Sequence, residues 1–176
     1  MVKNLTNVCP RAIKSLFLHF MRTNTTKMAI NKKIHKIELL APARNAEIGK
    51  EAILHGADAV YIGGPSFGAR LAAGNSVEDI AALCGFAHLY GARVYVTLNT
   101  ILWDSELKEA EALVWQLYEV GVDALIVQDL ALLKMNLPPI ALHASTQMDN
   151  CTPQKAQWLE AAGFRQIVLA REMSIE

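Results

Sequence analysis

The sequence has few cysteines, and their positions exclude two kinds of site. Only three of the 176 residues are cysteine, Cys9, Cys84 and Cys151, and no two of them form a C-x-x-C pair. Such scattered thiols build neither a disulfide framework nor a complete cysteine metal site, so we predict no metal in this segment. Free cysteines fit a reducing compartment, and we therefore expect a cytoplasmic location.

Long apolar runs are also missing. A membrane-spanning helix needs roughly 18 to 20 apolar residues, and no run in this chain approaches that length. The best candidate, residues 16–21, follows Arg11 and Lys14 as a signal peptide would, but it is too short, contains His19 and lacks a small-x-small cleavage site. We predict no contact with a membrane.

Net charge is absent as well, since 17 Lys and Arg balance 17 Asp and Glu. This balance argues against a chain that coats nucleic acid through bulk positive charge. It hides an asymmetry, because residues 1–36 carry eight basic and no acidic side chains, which leaves a net charge of −8 for residues 37–176. Organised periodicity begins only at Ile34. We predict a disordered basic extension over residues 1–33, with Met28 as an alternative first residue, and one domain over residues 34–176.

That domain contains a regular alternation of short β-branched runs and longer amphipathic stretches, which is typical of parallel βα units. The predicted strands cover residues 37–41, 59–63, 93–99, 124–129, 140–144 and 166–171. The predicted helices cover residues 46–55, 77–90, 105–120, 130–135 and 153–162.

The ends of the predicted helices repeat one joint, a glycine followed by one residue and then Asp or Arg before a strand. It occurs at Gly56-Ala-Asp58, Gly91-Ala-Arg93, Gly121-Val-Asp123 and Gly163-Phe-Arg165. Glycine accepts the left-handed conformation that closes a helix. At the helix starts, Ser76 and Asp79 predict a capping box, Asp104 an N-cap, and Thr152 an N-cap before Pro153.

Two architectures fit this alternation, the closed eight-stranded barrel and the open doubly wound sheet. A dinucleotide-binding sheet would place G-x-G-x-x-G after the first strand, whereas residues 41–45 read A-P-A-R-N. A complete barrel takes eight strands and typically about 250 residues. We therefore predict an incomplete (β/α)8 TIM-like barrel of about six parallel units, truncated at its C-terminus and, with two open sheet edges, marginally stable or self-associating.

Functional side chains in such a barrel lie at the carboxyl ends of the strands. The residues predicted to bind substrate there are Arg44, Arg70, Asn99, His143, Gln147 and Arg171. The guanidinium groups suit a phosphate, a carboxylate or a nucleotide backbone, or else they pair with Asp129 and Glu172. His143 shares a strand face with Ser145 but no third carboxylate is specified for a triad, which favours a structural histidine. No catalytic residue is assigned.

The remaining aromatic and thiol side chains have simpler interpretations. Trp103, Trp115 and Trp158 fall near or within predicted helices, so we expect them to pack against the barrel rather than stack on bases. Cys84 lies within a helix among Ala, Leu and Phe, which predicts a small buried thiol.

Several motifs, in one order, resemble the N-terminal part of the peptidase U32 family. They are I-E-L-L-A-P-A-R (37–44), H-G-A-D-A-V-Y-I-G-G-P (55–65), F-G-A-R (67–70), V-T-L-N-T-I-L (96–102), G-V-D-A-L-I-V-Q-D (121–129), L-H-A-S-T-Q (142–147) and I-V-L-A-R-E (167–172). The resemblance runs from about Ile37 to Glu176. Within the family, the motifs are most similar to those of bacterial members that form 5-hydroxycytidine in 23S ribosomal RNA.

The resemblance implies a TIM-barrel-like domain and hydroxylation of rRNA or tRNA, with RNA and a small carboxylate such as prephenate as partners. It also implies a later cysteine group with which several relatives hold an iron–sulfur cluster. Cys84 and Cys151 do not match those positions, so we expect no cofactor in this segment and place a possible cluster in the missing C-terminal part.

Three functions stay open at this point. The first is a fragment of a U32 RNA-modifying hydroxylase, inactive alone because hydroxylating an aromatic C–H needs a cofactor. The second is a collagenase-like U32 peptidase, for which these residues offer no nucleophile or metal with an activating partner. The third is a non-catalytic, truncated binding module.

Overall fold

The computed structural model describes residues 37–69 and 74–174, so the predicted extension over residues 1–33 lies outside the described residues. The described strands are β1 (Leu40–Ala43), β2 (Ala59–Gly63), β3 (Arg93–Leu98), β4 (Ala124–Val127), β5 (Ala141–Ala144) and β6 (Gln166–Ile167). The described α-helices are α1 (Ala46–Leu54), α2 (Val77–Leu89), α3 (Leu107–Glu119) and α4 (Pro153–Ala162). Two 3₁₀ helices, Leu130–Lys134 and Thr146–Met148, follow β4 and β5.

The strands form one parallel sheet in the order β1-β2-β3-β4-β5-β6. A doubly wound sheet would reverse its strand order at a switch point, and this sheet does not. Consecutive parallel strands joined by helices are the units of a (β/α)8 barrel. Among the described residues, β1 and β6 each pair on one side only. The prediction of an incomplete TIM-like barrel with six parallel strands is confirmed.

Most predicted boundaries hold to within two residues, and the exceptions have local causes. Strand β1 begins at Leu40 rather than at residue 37, because the Leu39 N–H donates to the Asp58 carboxylate (3.1 Å) instead of to a strand. Strand β6 ends at Ile167 rather than at residue 171. Among the described strands, β6 pairs only with β5. The Val168 N–H still donates to Ala144 O (2.9 Å), and after Val168 the chain no longer pairs with β5.

The helix ends follow the predicted chemistry except at one start. All four joint glycines have positive φ, between 69° and 110°. The capping box at Ser76 and the N-cap at Thr152 are both formed. The predicted Asp104 N-cap was wrong. The Glu106 carboxylate accepts a hydrogen bond from the Trp103 N–H (2.8 Å), and the Glu106 N–H donates to Trp103 O (2.8 Å). That turn delays the start of α3 to Leu107.

The two faces of the sheet differ in what they bury, because successive strand residues point to opposite sides. The outer face packs on the helices in a large apolar cluster that includes Val60, Val94 and Leu125. The inner face carries a much smaller cluster, made of Ala59, Tyr95, Ala124 and Ile126. Small inner side chains leave room in the interior of the barrel, and Tyr95 is the one large aromatic side chain fully buried among them.

Candidate functional site

The carboxyl ends of the six strands lie along one edge of the sheet because all the strands are parallel. We call the segments that follow the strands at this edge the rim. The rim consists of residues 44–45, 64–69, 99–103, 128–129, 145–150 and 168–172. In barrels of this type, the corresponding edge carries the active site.

Hydrogen bonds join neighbouring rim segments into one continuous surface. The Thr100 N–H and hydroxyl both donate to Phe67 O (3.2 and 3.1 Å), and the Leu102 N–H donates to the Asp129 carboxylate (2.8 Å). The Gln128 amide donates to Gln147 O (3.4 Å). Each of the loops after β2, β3 and β4 is therefore hydrogen-bonded to the loop that follows the next strand.

Two buried asparagines clamp the ends of the rim, and neither was predicted from the sequence. The Asn75 amide donates to Arg44 O (3.1 Å) and to Gly63 O (3.0 Å), which joins the segments after β1 and β2. The Asn150 amide donates to Ser145 O and Val168 O (2.8 Å each), which joins those after β5 and β6. Because both partners of each asparagine are carbonyl oxygens, which only accept, the NH₂ end of each side-chain amide must face them.

The predicted substrate-binding residues fall into three groups. Arg44, Asn99, Gln147 and Arg171 lie on the rim, where Arg44, Gln147 and Arg171 are exposed. Asn99 is half-buried, and its side-chain oxygen accepts from the Ala69 N–H (3.0 Å). Arg70 lies outside the described residues. His143 is inside β5, on the inner face, and only 6% exposed.

For Arg44 and Arg171, the alternative role of pairing with Asp129 and Glu172 is not what the described residues show. Both carboxylate oxygens of Asp129 accept backbone N–H groups, from Leu102 and from Ala131 (2.8 Å each). Across residues 37–69 and 74–174, neither Arg44 nor Arg171 forms an ion pair. Both guanidinium groups are thus available to an anionic ligand.

A polar cluster lies on the inner face below the rim and holds His143. The Tyr95 hydroxyl donates to Glu38 (2.6 Å), the Arg93 guanidinium lies 3.4 Å from the same carboxylate, and the Tyr95 and His143 rings meet edge to face at 4.8 Å. Burial, followed by the Glu38 carboxylate, raises the pKa of Tyr95. Burial lowers the pKa of His143; the Glu38 carboxylate raises it by a smaller amount, and the Arg93 guanidinium lowers it further. His143 is therefore neutral near pH 7.

This lowered pKa predicts a loss of stability in weak acid. Below the ordinary histidine pKa of about 6.5, the unfolded chain takes up a proton that the folded chain refuses, so the free energy of unfolding falls as pH drops. Between pH 6.5 and 5.5 the loss due to His143 is at most about 1.4 kcal/mol. Urea unfolding at pH 7.5 and 5.5 measures it. His143→Gln should reduce the acid loss, whereas His55→Gln, at an exposed histidine, should leave it unchanged; an equal loss in both variants would contradict the assignment.

A cysteine, a histidine and an aspartate come together at the other end of the barrel, before β4. His88 Nε2 lies 3.0 Å from Asp123 Oδ2, which also accepts from the Val94 N–H (2.8 Å). Cys84 is buried as predicted, and burial followed by the Asp123 charge raises the pKa of its thiol to about 12. Because the thiolate is the nucleophile, Cys84 is unsuited to peptide cleavage.

Cys151 lies on the α4 side of the rim. Its thiol donates to Asp149 Oδ1 (2.9 Å), and this bond is the main reason that its pKa is raised. In the described part of the chain, no three His, Cys, Asp or Glu side chains are grouped so that they could hold a metal ion. The same residues include no helix with the length and apolar content to cross a membrane.

The tryptophans differ from the prediction. Trp103 is 76% exposed and Trp158 52% exposed, so neither packs against the barrel. Trp115 is less exposed, and its indole N–H donates to Asn136 O (2.9 Å). At Trp103 the reason is that carboxylates, rather than burial of the indole, hold the loop in place.

Comparison with known proteins places this site in a family. The sequence model of peptidase family U32 matches residues 44–176. The 23S rRNA 5-hydroxycytidine C2501 synthase of Escherichia coli (strain K12) is 62% identical over 142 residues, which cover 81% of this chain and 22% of that protein. The tRNA hydroxylation protein P1 of Bacillus subtilis (strain 168) is 38% identical over 143 residues, 79% of this chain and 34% of that protein.

The solved structure of the U32 peptidase Mk0906 has the same fold. It superposes with a TM-score of 0.62 at 13% identity, over 81% of this chain and 62% of that one. Phosphonopyruvate hydrolase superposes with a TM-score of 0.55 at 17% identity, over 76% of this chain and 54% of that one. At such identities the likeness concerns the fold alone. The chain spans about a fifth to a third of the length of the two curated relatives.

Proposed function

The chain belongs to peptidase family U32, and from this premise we propose that it forms the N-terminal part of the substrate-facing barrel of an RNA hydroxylase. The observation that carries the proposal is the 62% identity to an rRNA 5-hydroxycytidine synthase over 142 residues. The product that we propose is 5-hydroxycytidine in 23S rRNA. The second named relative acts on tRNA, so RNA is the substrate class that both share.

The rim supplies the groups that such a substrate needs. Arg44 follows β1 and Arg171 follows β6, so two exposed cations without ion pairs stand at opposite ends of the described rim. Guanidinium groups bind phosphate through parallel N–H bonds. We assign both residues, with Arg70, to the RNA backbone.

Amide side chains between these cations suit the edges of bases. Asn99 accepts from the Ala69 N–H through its oxygen, which leaves its NH₂ group free to donate toward the ring nitrogen or carbonyl of a base. Gln147 is exposed on the next loop but one and can both donate and accept. His143 is neutral and buried, and it lies two residues before Ser145 on the same strand face. We assign it to the floor of the site.

The oxidising chemistry must come from a group that these residues do not hold. Four thiolates bind an iron–sulfur cluster. Cys84 is a buried residue of α2 whose pKa burial raises to about 12, and the Cys151 thiol is hydrogen-bonded to Asp149 on the rim. These two cysteines do not fit a cluster, so we derive no step through one. The proposed role of this segment is to bind and orient RNA. A small carboxylate such as prephenate as second ligand, and a cytoplasmic location, stay predictions.

Mass spectrometry of RNA tests the proposal. Deleting the gene that contains this segment should remove hydroxycytidine from digested 23S rRNA, at least 10-fold, and a plasmid copy should restore it. Hydroxyuridine in tRNA purified and digested from the same cells identifies tRNA as the substrate if rRNA is unaffected. Unchanged amounts of both nucleosides would contradict the proposal, and loss of gelatin cleavage in the deleted strain would favour a peptidase.

A further inference from the structure

An exposed apolar surface lies on the rim beside the groups assigned to RNA. Ile101 is 72% exposed and Trp103 76% exposed, and both belong to the loop after β3. Leu130, at the start of the 3₁₀ helix after β4, is also exposed. Apolar groups exposed together mark a site of interaction more often than isolated ones do. We call Ile101, Trp103 and Leu130 the loop surface.

The backbone of the loop surface is held rigidly although its side chains are not buried. Asp129 accepts the Leu102 N–H and Glu106 accepts the Trp103 N–H, at 2.8 Å each. The Asp129 carboxylate also accepts the Ala131 N–H at the start of the Leu130 helix, so one side chain fixes both loops. A side chain presented by an ordered backbone loses less conformational entropy when a ligand covers it.

The charges around Trp103 indicate which part of an RNA strand it can meet. Asp104 is exposed and follows Trp103 in sequence, and the Glu106 carboxylate accepts the Trp103 N–H, so this stretch repels phosphate. The cations of the rim, Arg44 and Arg171, follow other strands. An uncharged base face is therefore the part of RNA that this surface accepts, while the phosphates lie toward the arginines.

Resting on the proposed function, we propose that Trp103, with Ile101 beside it, stacks on an unpaired nucleobase of the RNA substrate. An enzyme that modifies a base takes the nucleotide out of its stack and holds bases against aromatic or apolar side chains. Trp103 follows β3 at the edge of the sheet that the proposed function assigns to RNA, and its exposed indole can take the place of the neighbour that an unstacked base has lost.

Binding of fluorescein-labelled single-stranded RNA to the 176-residue chain tests this assignment. Stacking on one aromatic side chain is worth about 10-fold or more in affinity. Trp103→Ala should therefore weaken binding about 10-fold, and Trp103→Phe, which keeps an aromatic face, by less than about 3-fold. Trp158→Ala is the matched control, because Trp158 is 52% exposed on α4 and away from the rim.

Salt dependence separates stacking from charge. The slope of log K against log salt counts the phosphates that are neutralised. Trp103→Ala should leave this slope unchanged, whereas Arg44→Ala should make it shallower by about 0.7, the value for one phosphate of a single strand.

Each other outcome overturns the assignment. Equal affinities of Trp103→Ala and the unsubstituted chain would do so, as would the absence of any RNA binding by the unsubstituted chain. Loss of self-association in Trp103→Ala on size exclusion, with RNA affinity unchanged, would make a second copy the occupant. The proposed function is decided separately by the hydroxynucleoside content of the deleted strain.

Discussion

Tyr95→Ala should lower the free energy of unfolding by about 3–5 kcal/mol, the usual cost of truncating a buried aromatic side chain. Tyr95 is 1% exposed and is the largest of the fully buried side chains on the inner face of the sheet. Its neighbours there include Ala59, Ala124 and the edge of the His143 ring, and their positions are fixed by the strands, so they do not refill the cavity. Urea unfolding of the 176-residue chain followed by circular dichroism measures the loss.

The hydroxyl of Tyr95 accounts for a separable part of this stability. Tyr95→Phe removes the bond to Glu38 and should cost about 1.5–3 kcal/mol, the range for a hydrogen bond to a charged group. Tyr118→Phe, at a partly exposed tyrosine on α3, is the matched control and should change stability by less than about 0.5 kcal/mol. In a double-mutant cycle with Glu38→Gln, additive losses would show that the 2.6 Å contact contributes nothing.

Asn75→Ala should lower the free energy of unfolding by about 2–4 kcal/mol, because it leaves two carbonyl groups without their donor. Those carbonyls, of Arg44 and Gly63, end neighbouring strands, so the clamp holds the first two segments of the rim together. Asn75→Asp should lower the free energy of unfolding by at least as much, since a carboxylate repels the carbonyl oxygens of Arg44 and Gly63. Hydrogen exchange near residues 63–69 should also accelerate.

Asn136→Ala is the matched control for this change. Asn136 is exposed, its backbone oxygen accepts from the Trp115 indole, and no hydrogen bond joins its side chain to another described residue. Its replacement should alter stability by less than about 0.5 kcal/mol. If Asn75→Ala were equally harmless, the clamp would not order the rim, and the arginine at its first end would have no fixed position.

The order of elements could be predicted because its signals are local. Apolar runs gave the strands, and the glycine joints at Gly56, Gly91, Gly121 and Gly163 marked where helices return to strands, since each depends on a few adjacent residues. Local signals also misled at Asp104. A carboxylate two residues later, Glu106, competed for the same turn and moved the helix start.

The contents of the site were harder to predict because they depend on contacts between distant residues. Glu38 and Tyr95 are 57 residues apart in sequence, and only the strand register brings them together on the inner face. His143 looked like a rim residue because a motif places it near the end of a strand. The strand register instead pairs it with Ile126 inside the sheet, below the rim. Asn75 and Asn150 carry a weak local signal, since each lies one or two residues before an N-cap. Their burial could not be predicted from that.

The assignment of the rim to RNA is tested most directly by the hydroxynucleoside content of RNA from cells whose gene carries Arg44→Ala and Arg171→Ala together. The comparison is Arg165→Ala, an exposed arginine that precedes β6 at the opposite end of the barrel, with protein levels matched by immunoblot. We expect the double variant to lose at least 10-fold of the modification and Arg165→Ala to retain it. Full modification in the double variant would contradict the account.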